Sequence, residues 1–210
     1  MKLDVLLVQL SANPYFDMLS SYCIGQLGLY YLAEYADKHG YSAKVKYYNS
    51  FDVVSEVLPK LINKTSCRIL GFYVDSENIW ALRVLIPLLH KSCPQLHIIL
   101  GGPQVTGDPH GTMQLVPNVT CGIIGEGEIP FLKLLQADTI NEDILKTING
   151  LIYYDASRKL SVTKPQKQNP NIDEYGYPKR EKYCLDSDKV TFPQLITGRG
   201  CMGHCAFCYE

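Results

Sequence analysis

The feature that most constrains this chain is an alternation. Five short, largely apolar runs are separated by longer stretches with helical patterning. The predicted strands are 4–9 (DVLLVQ), 43–48 (AKVKYY), 68–74 (RILGFYV), 97–100 (HIIL) and 121–124 (CGII). Helices are predicted over 25–39, 52–63 and 78–92, and over 130–136 with Pro130 in the first turn, a position that suits proline. Pro87 inside the third of these predicts a kink or a late start. Strand alternating with helix implies a parallel sheet covered on both faces. Runs such as HIIL and CGII fit strands buried on both sides. The expected fold is α/β: a Rossmann-like, five-stranded parallel sheet with helices on both faces.

Such sheets bind ligands at the carboxyl ends of their strands, where the strand order switches. The chain places glycines there. Gly101, Gly102 and Pro103 follow the fourth run, and Gly125, Glu126, Gly127 and Glu128 follow the fifth. Glycine allows close backbone approach and positive φ. Plain tight turns account for the same spacing equally well.

Beyond Gly150 the character changes. LIYYDASRKLSV reads as a hairpin. Residues 164–189 are polar, with Pro165, Pro170 and Pro178, and predict an extended linker over the surface. FPQLIT at 192–197 is again strand-like. The division expected is a Rossmann-like domain over 1–140, a hairpin and linker over 141–191, and the start of a second domain over 192–210. A net charge of −1 over 210 residues gives no bulk attraction to nucleic acid or anionic membrane. No run approaches the roughly 18 apolar residues of a membrane span. The first residues, MKLDVLLVQL, alternate like a strand and lack a small-residue cleavage site. A cytoplasmic location is expected.

The chain has eight cysteines. Cys23, Cys67, Cys93, Cys121 and Cys184 are scattered singly beside apolar stretches and read as buried reduced thiols. Cys201, Cys205 and Cys208 instead form a CxxxCxxC loop. Structural zinc normally takes four ligands, and His204, lying between two of the cysteines, would have to turn onto the same ion under strain. Three thiolates suit a four-iron, four-sulfur (4Fe-4S) cluster with one iron left for a small molecule. Gly198, Gly200 and Gly203 let the loop wrap around a cluster, and Phe207 would shield it from water.

The CxxxCxxC spacing, with an aromatic before the last cysteine and TGRG ahead of the first, resembles the radical S-adenosylmethionine (SAM) superfamily. GFYVDSENIWAL at 71–82, GGPQVTGDP at 101–109, GEGEIPFLKLL at 125–135, INGLIYY at 148–154, NIDEYGYPKR at 171–180 and LITGRGC at 195–201 follow in order. Together they resemble the N-terminal half of cobalamin-dependent radical SAM enzymes. The resemblance implies a corrin lying over the carboxyl edge of the sheet. It would be contacted by the loop holding Tyr73, Ser76 and Asn78, by Gly101, Gly102 and Pro103, and by Gly125, Glu126, Gly127 and Glu128. It implies that Cys201, Cys205 and Cys208 ligate three irons, that the fourth iron binds SAM, and that backbone near Phe207 faces the adenine. One-electron cleavage of SAM would yield a 5′-deoxyadenosyl radical, and methylcobalamin would supply a methyl group to carbon. A reductant such as flavodoxin or ferredoxin would supply the electron.

Two departures modify this. Many cobalamin domains carry Asp-x-His-x-x-Gly after the first strand, but the loop SANPYFDMLSSYCIG has no histidine. Asp108-Pro109-His110-Gly111 follows the wrong strand and has Met113 where glycine is needed. No histidine ligand to cobalt is expected from this motif, and His110 reads as a solvated loop residue. His39, His90 and His97 read as structural. A radical SAM barrel needs on the order of 200 residues, of which only the first strand and cluster loop are present. The chain alone is therefore expected to be inactive. The rival readings are a stand-alone cobalamin or small-ligand binding module, and a zinc-binding interaction domain.

Overall fold

In the computed structural model, which describes residues 2–11, 26–48, 50–185, 195–203, 205, 206 and 208, the first apolar run forms β1 (Val5–Leu10), buried along its whole length. Its side chains alternate between two layers: Leu6, Val8 and Leu10 enter one, Val5 and Leu7 the other. Helix α1 (Leu27–Lys38) leads to β2 (Ala43–Tyr48), which runs parallel to β1 with Ala43 opposite Val5. Helix α2 (Phe51–Thr65) is capped by Ser50, whose side chain accepts from the Val53 N–H. It leads to β3 (Ile69–Tyr73), on the other side of β1. Helix α3 (Ile79–Ser92) continues through Pro87 without the late start that proline suggested. β4 (His97–Gly101) then pairs with β3.

Two helices absent from the sequence reading follow. They are α4 (Pro103–Gly107) and α5 (Pro109–Leu115), each opened by proline, and Asp108 caps α5 by accepting from the Gly111 N–H at 2.9 Å. Both are too short to display a helical hydrophobic period. β5 (Cys121–Ile123) pairs with β4. α6 (Glu128–Gln136) starts two residues earlier than predicted, so Pro130 is its third residue. Proline is tolerated there because first-turn N–H groups have no intrahelical partner.

The parallel strands lie in the order β2-β1-β3-β4-β5. α1 and α6 cover one face, and α2 and α3 the other. This is the doubly wound arrangement expected, with its switch point between β1 and β3. The sheet is larger than the five strands predicted. After α7 (Glu142–Thr147), the hairpin β6 (Leu151–Tyr154) and β7 (Leu160–Val162) continues it antiparallel from β5, making seven strands among the described residues. Leu151, Ile152 and Tyr153 are buried in the process. A three-residue β5 would otherwise end the sheet with unpaired backbone groups, and the hairpin covers that edge.

The segment after β7 also departs from expectation. It is not an extended surface linker. A 3₁₀ turn (Ile172–Tyr175) and α8 (Arg180–Tyr183) strap it to α1, and Tyr175 and Tyr183 are each 1% exposed. The Tyr183 hydroxyl donates to the buried Glu34 carboxylate at 2.8 Å, and Lys179 Nζ pairs with the same group at 3.2 Å. Leu185 N–H then donates to Val45 O beside β2. Residues 192–194 of the strand-like FPQLIT lie outside the described residues, and 195–197 are not in a strand. Among the described residues no helix is long and apolar enough to cross a membrane.

Candidate functional site

A cavity of about 640 Å³ opens at the carboxyl ends of β3, β4 and β5, between α1 and α6. Open α/β sheets bind ligands beyond the carboxyl ends of their strands, and the cavity's volume falls within the range of about 300–1,000 Å³ typical of such sites. Tyr73, Gly101, Gly102, Pro103, Gly125, Glu126, Gly127 and Glu128 all line it. Chain stretches far apart in sequence thus meet at one sheet edge.

Two of the loops are tied together locally. Val74 N–H donates to Gly101 O at 2.7 Å, and Gln104 N–H donates to Val74 O at 3.2 Å. Gly102 sits between these bonds at φ 111°. A Cβ on it would lie 2.7 Å from Val74 O, so only glycine fits the close approach. Gly125 N–H donates to Thr106 Oγ1 at 3.1 Å, joining the β5–α6 loop to α4. Gly28, Gly101 and Gly125 line the cavity, and a Cβ on any of them would meet no atom within 4 Å. The rim at these points opens onto free space.

Ser76 and Asn78, also expected at this rim, do not line the cavity. Ser76 is exposed. Asn78 is fully buried and works as a brace. Its Nδ2 donates to Leu10 O and Tyr73 O at 3.2 and 2.9 Å, and its Oδ1 accepts from Asp75 N–H at 3.1 Å. It therefore ties the ends of β1 and β3 together behind the site. Of the described histidines, His39, His90 and His110 are exposed, and none of the four lines the cavity. His110 lies in α5 rather than in a loop. Burial, then the Arg68 charge, pull the His97 pKa down. Most of the loop SANPYFDMLSSYCIG lies outside the described residues.

The cysteine loop reaches this cavity. Ile196, Gly198, Arg199, Gly200 and Cys201 complete its lining. Cys201, Cys205 and Cys208 are exposed free thiols. Cys201 Sγ accepts from Gly203 N–H at 3.3 Å, and a Cβ on Gly203 would lie 3.4 Å from Cys201 Sγ and 3.8 Å from Cys205 Sγ. Two thiols thus flank one glycine, and thiolates are soft donors of the kind that iron–sulfur clusters take. Among the described residues, no three His, Cys, Asp or Glu side chains are gathered as a metal-ligand set. Phe207 and His204 lie outside the described residues.

Arg199 holds the loop against the cavity. Its guanidinium lies 4.9 Å from the Tyr31 ring centroid and 5.1 Å from that of Tyr175, within cation–π range of both. One nitrogen reaches Glu128 Oε1 at 2.6 Å and another lies 3.9 Å from Glu126 Oε1. Burial opposes the charge on Arg199. The Glu128 hydrogen bond and the charges of Glu128 and Glu126 outweigh it and raise the pKa. Burial, then these two carboxylates, likewise raise the pKa of Tyr175, whose hydroxyl donates to Glu126 Oε2 at 3.3 Å. Sequence reasoning left Arg199 unassigned. An available signal was the lone cation of TGRG set against the paired carboxylates of GEGE.

A family model described as a B12 binding domain matches residues 20–135. An uncharacterized methyltransferase of Pyrococcus horikoshii is 28% identical over 87% of this chain and 40% of its own length. The cytidylyl-2-hydroxyethylphosphonate methyltransferase of Streptomyces wedmorensis is 24% identical over 89% of this chain and 44% of its own. The chain spans less than half the length of these relatives. In fold it is similar to the cobalamin-dependent S-adenosylmethionine radical enzyme OxsB, solved with aqua-cobalamin bound. The TM-score is 0.60 at 15% identity, over 79% of this chain and 23% of that one.

Proposed function

Because the chain belongs to the B12 binding domain family, we propose that it binds cobalamin in the cavity over the sheet edge and carries, beside it, the cluster loop of a radical SAM methyltransferase. The observation that carries this is that Cys201 and the glycine loops of the sheet edge line one cavity, with Arg199 joining them. In this reading Gly101, Gly102, Pro103, Gly125 and Gly127 receive the corrin. Cys201, Cys205 and Cys208 hold three irons of a 4Fe-4S cluster whose fourth iron takes SAM. When bound, the cluster supplies one electron to cleave SAM, and cobalamin supplies a methyl group. The chain's own part is to bind both groups, to keep them at one edge, and to screen the corrin with the apolar walls of Leu29, Leu32 and Phe131. The names of both methyltransferases and the cofactors of the OxsB complexes support the methyl-transfer setting. The substrate, the barrel and a flavodoxin- or ferredoxin-type reductant belong to the whole enzyme.

The test is anaerobic reconstitution with iron, sulfide and hydroxocobalamin, then desalting and absorption spectroscopy. Retained corrin bands together with visible sulfide-to-iron charge-transfer absorption are expected. Corrin without iron would favour the stand-alone cobalamin module. One zinc per chain in a colourless protein would favour the zinc-binding interaction domain.

A further inference from the structure

We propose that Glu128 is the cavity's recognition group for a carboxamide, its Oε2 accepting an N–H from an amide side chain on the rim of the corrin. The inference rests on the cobalamin reading and adds the part of the ligand that is read. Glu128 is 3% exposed and lines the cavity. Its Oε1 takes the Arg199 guanidinium at 2.6 Å, while its Oε2 is buried with no hydrogen-bond partner. Folded proteins rarely leave such an atom unpaired, because desolvation without a partner is costly.

The Arg199 and Tyr175 donors are committed elsewhere. The other terminal nitrogen of Arg199 is directed to Glu126, its faces meet the rings of Tyr31 and Tyr175, and the Tyr175 hydroxyl serves Glu126. An ionised carboxylate only accepts, so its complement carries N–H or O–H. The Glu126–Glu128 pair repels a carboxylate or phosphate brought to the same point. Cobalamin bears neutral carboxamides around its ring, which meet both requirements. Glu128 is also the first residue of α6, where the helix dipole favours a negative charge.

The test uses a set of cobalamins, each with a different single carboxamide hydrolysed to the carboxylate, bound to the wild-type chain and to Glu128→Gln. In the wild type one member should bind about tenfold or more weakly than cobalamin, the worth of a hydrogen bond to a buried charge. Glu128→Gln, which can offer an N–H to that carboxylate, should narrow the gap, and by more than Glu126→Gln, which removes only a repelling charge. Glu128→Asp serves in its place should Glu128→Gln not fold, and should change the gap because the shorter side chain withdraws the acceptor. A series flat to within about twofold in the wild type, or a gap unchanged at position 128, would overturn the proposal. Retention of cobalamin with a flat series would overturn this inference alone; no retention of cobalamin would overturn the cobalamin reading with it.

Discussion

At the scale of single residues, the site depends on positions where one atom more or less matters. Gly102 combines φ 111° with a 2.7 Å approach of any added Cβ to Val74 O. Gly102→Ala should destabilise the chain by about 1–3 kcal/mol in urea unfolding, the cost of a strained backbone site, and should weaken corrin retention; unchanged stability would remove the argument for that close approach. The thiols divide as sharply. Burial pushes Cys121 up to about 12 and Cys67 up to about 11, while Cys201, Cys205 and Cys208 are exposed. The thiolate is the reactive form. Iodoacetamide at pH 8 with mass-spectrometric mapping should therefore label the terminal three well before Cys67 or Cys121. The glycines of GGP and GEGE were legible because spacing and the end of a strand mark them. Asn78 was misplaced because it lies in the right loop with its side chain turned inward to the backbone of β1 and β3, a direction that sequence does not carry.

At the scale of elements, the strap from the 3₁₀ turn to α8 holds α1 in place as one wall of the cavity. Its anchor is the Tyr183 hydroxyl on buried Glu34. Tyr183→Phe should cost about 1–3 kcal/mol by leaving that carboxylate short of a donor; a loss within a few tenths would mean that the strap is not fastened there. Burial, followed by Glu34, holds the Tyr183 pKa above its ordinary value of 10.0. The folded form keeps its proton where the unfolded form loses it. This part of the stability is therefore complete below pH 10.0 and lost as the pH rises through the folded value, and Tyr183→Phe should flatten that alkaline decline. The strap was not legible because its polar, proline-bearing composition is that of a solvated linker, and its two tyrosines anchor through tertiary contacts. α4 and α5 escaped because elements of five and seven residues show no period. The four inner parallel strands were legible because burial on both faces demands unbroken apolar runs, and β2, at the sheet edge, by its alternation and its Val and Tyr content.

At the scale of the whole molecule, the sheet order brings the loops after β3, β4 and β5 to one edge, and Arg199 brings the cysteine loop to the same edge. Arg199→Ala should release that loop. Cleavage within 195–203 by a non-specific protease should quicken by about tenfold or more as the loop is freed, with amide exchange in β1 and β3 unchanged; an unaltered loop would show that it is held by other contacts. The seven-stranded sheet exceeded expectation because pairing of the hairpin to β5 is a choice of edge, and strand patterns do not name their partners. The most direct test is a crystal structure of the chain grown anaerobically with hydroxocobalamin, with diffraction recorded at the cobalt absorption edge. Anomalous density for cobalt is expected over the carboxyl ends of β3 to β5, between α1 and α6. Cobalt located elsewhere, or protein side chains packed across the Gly101–Gly125 rim with no corrin, would contradict it.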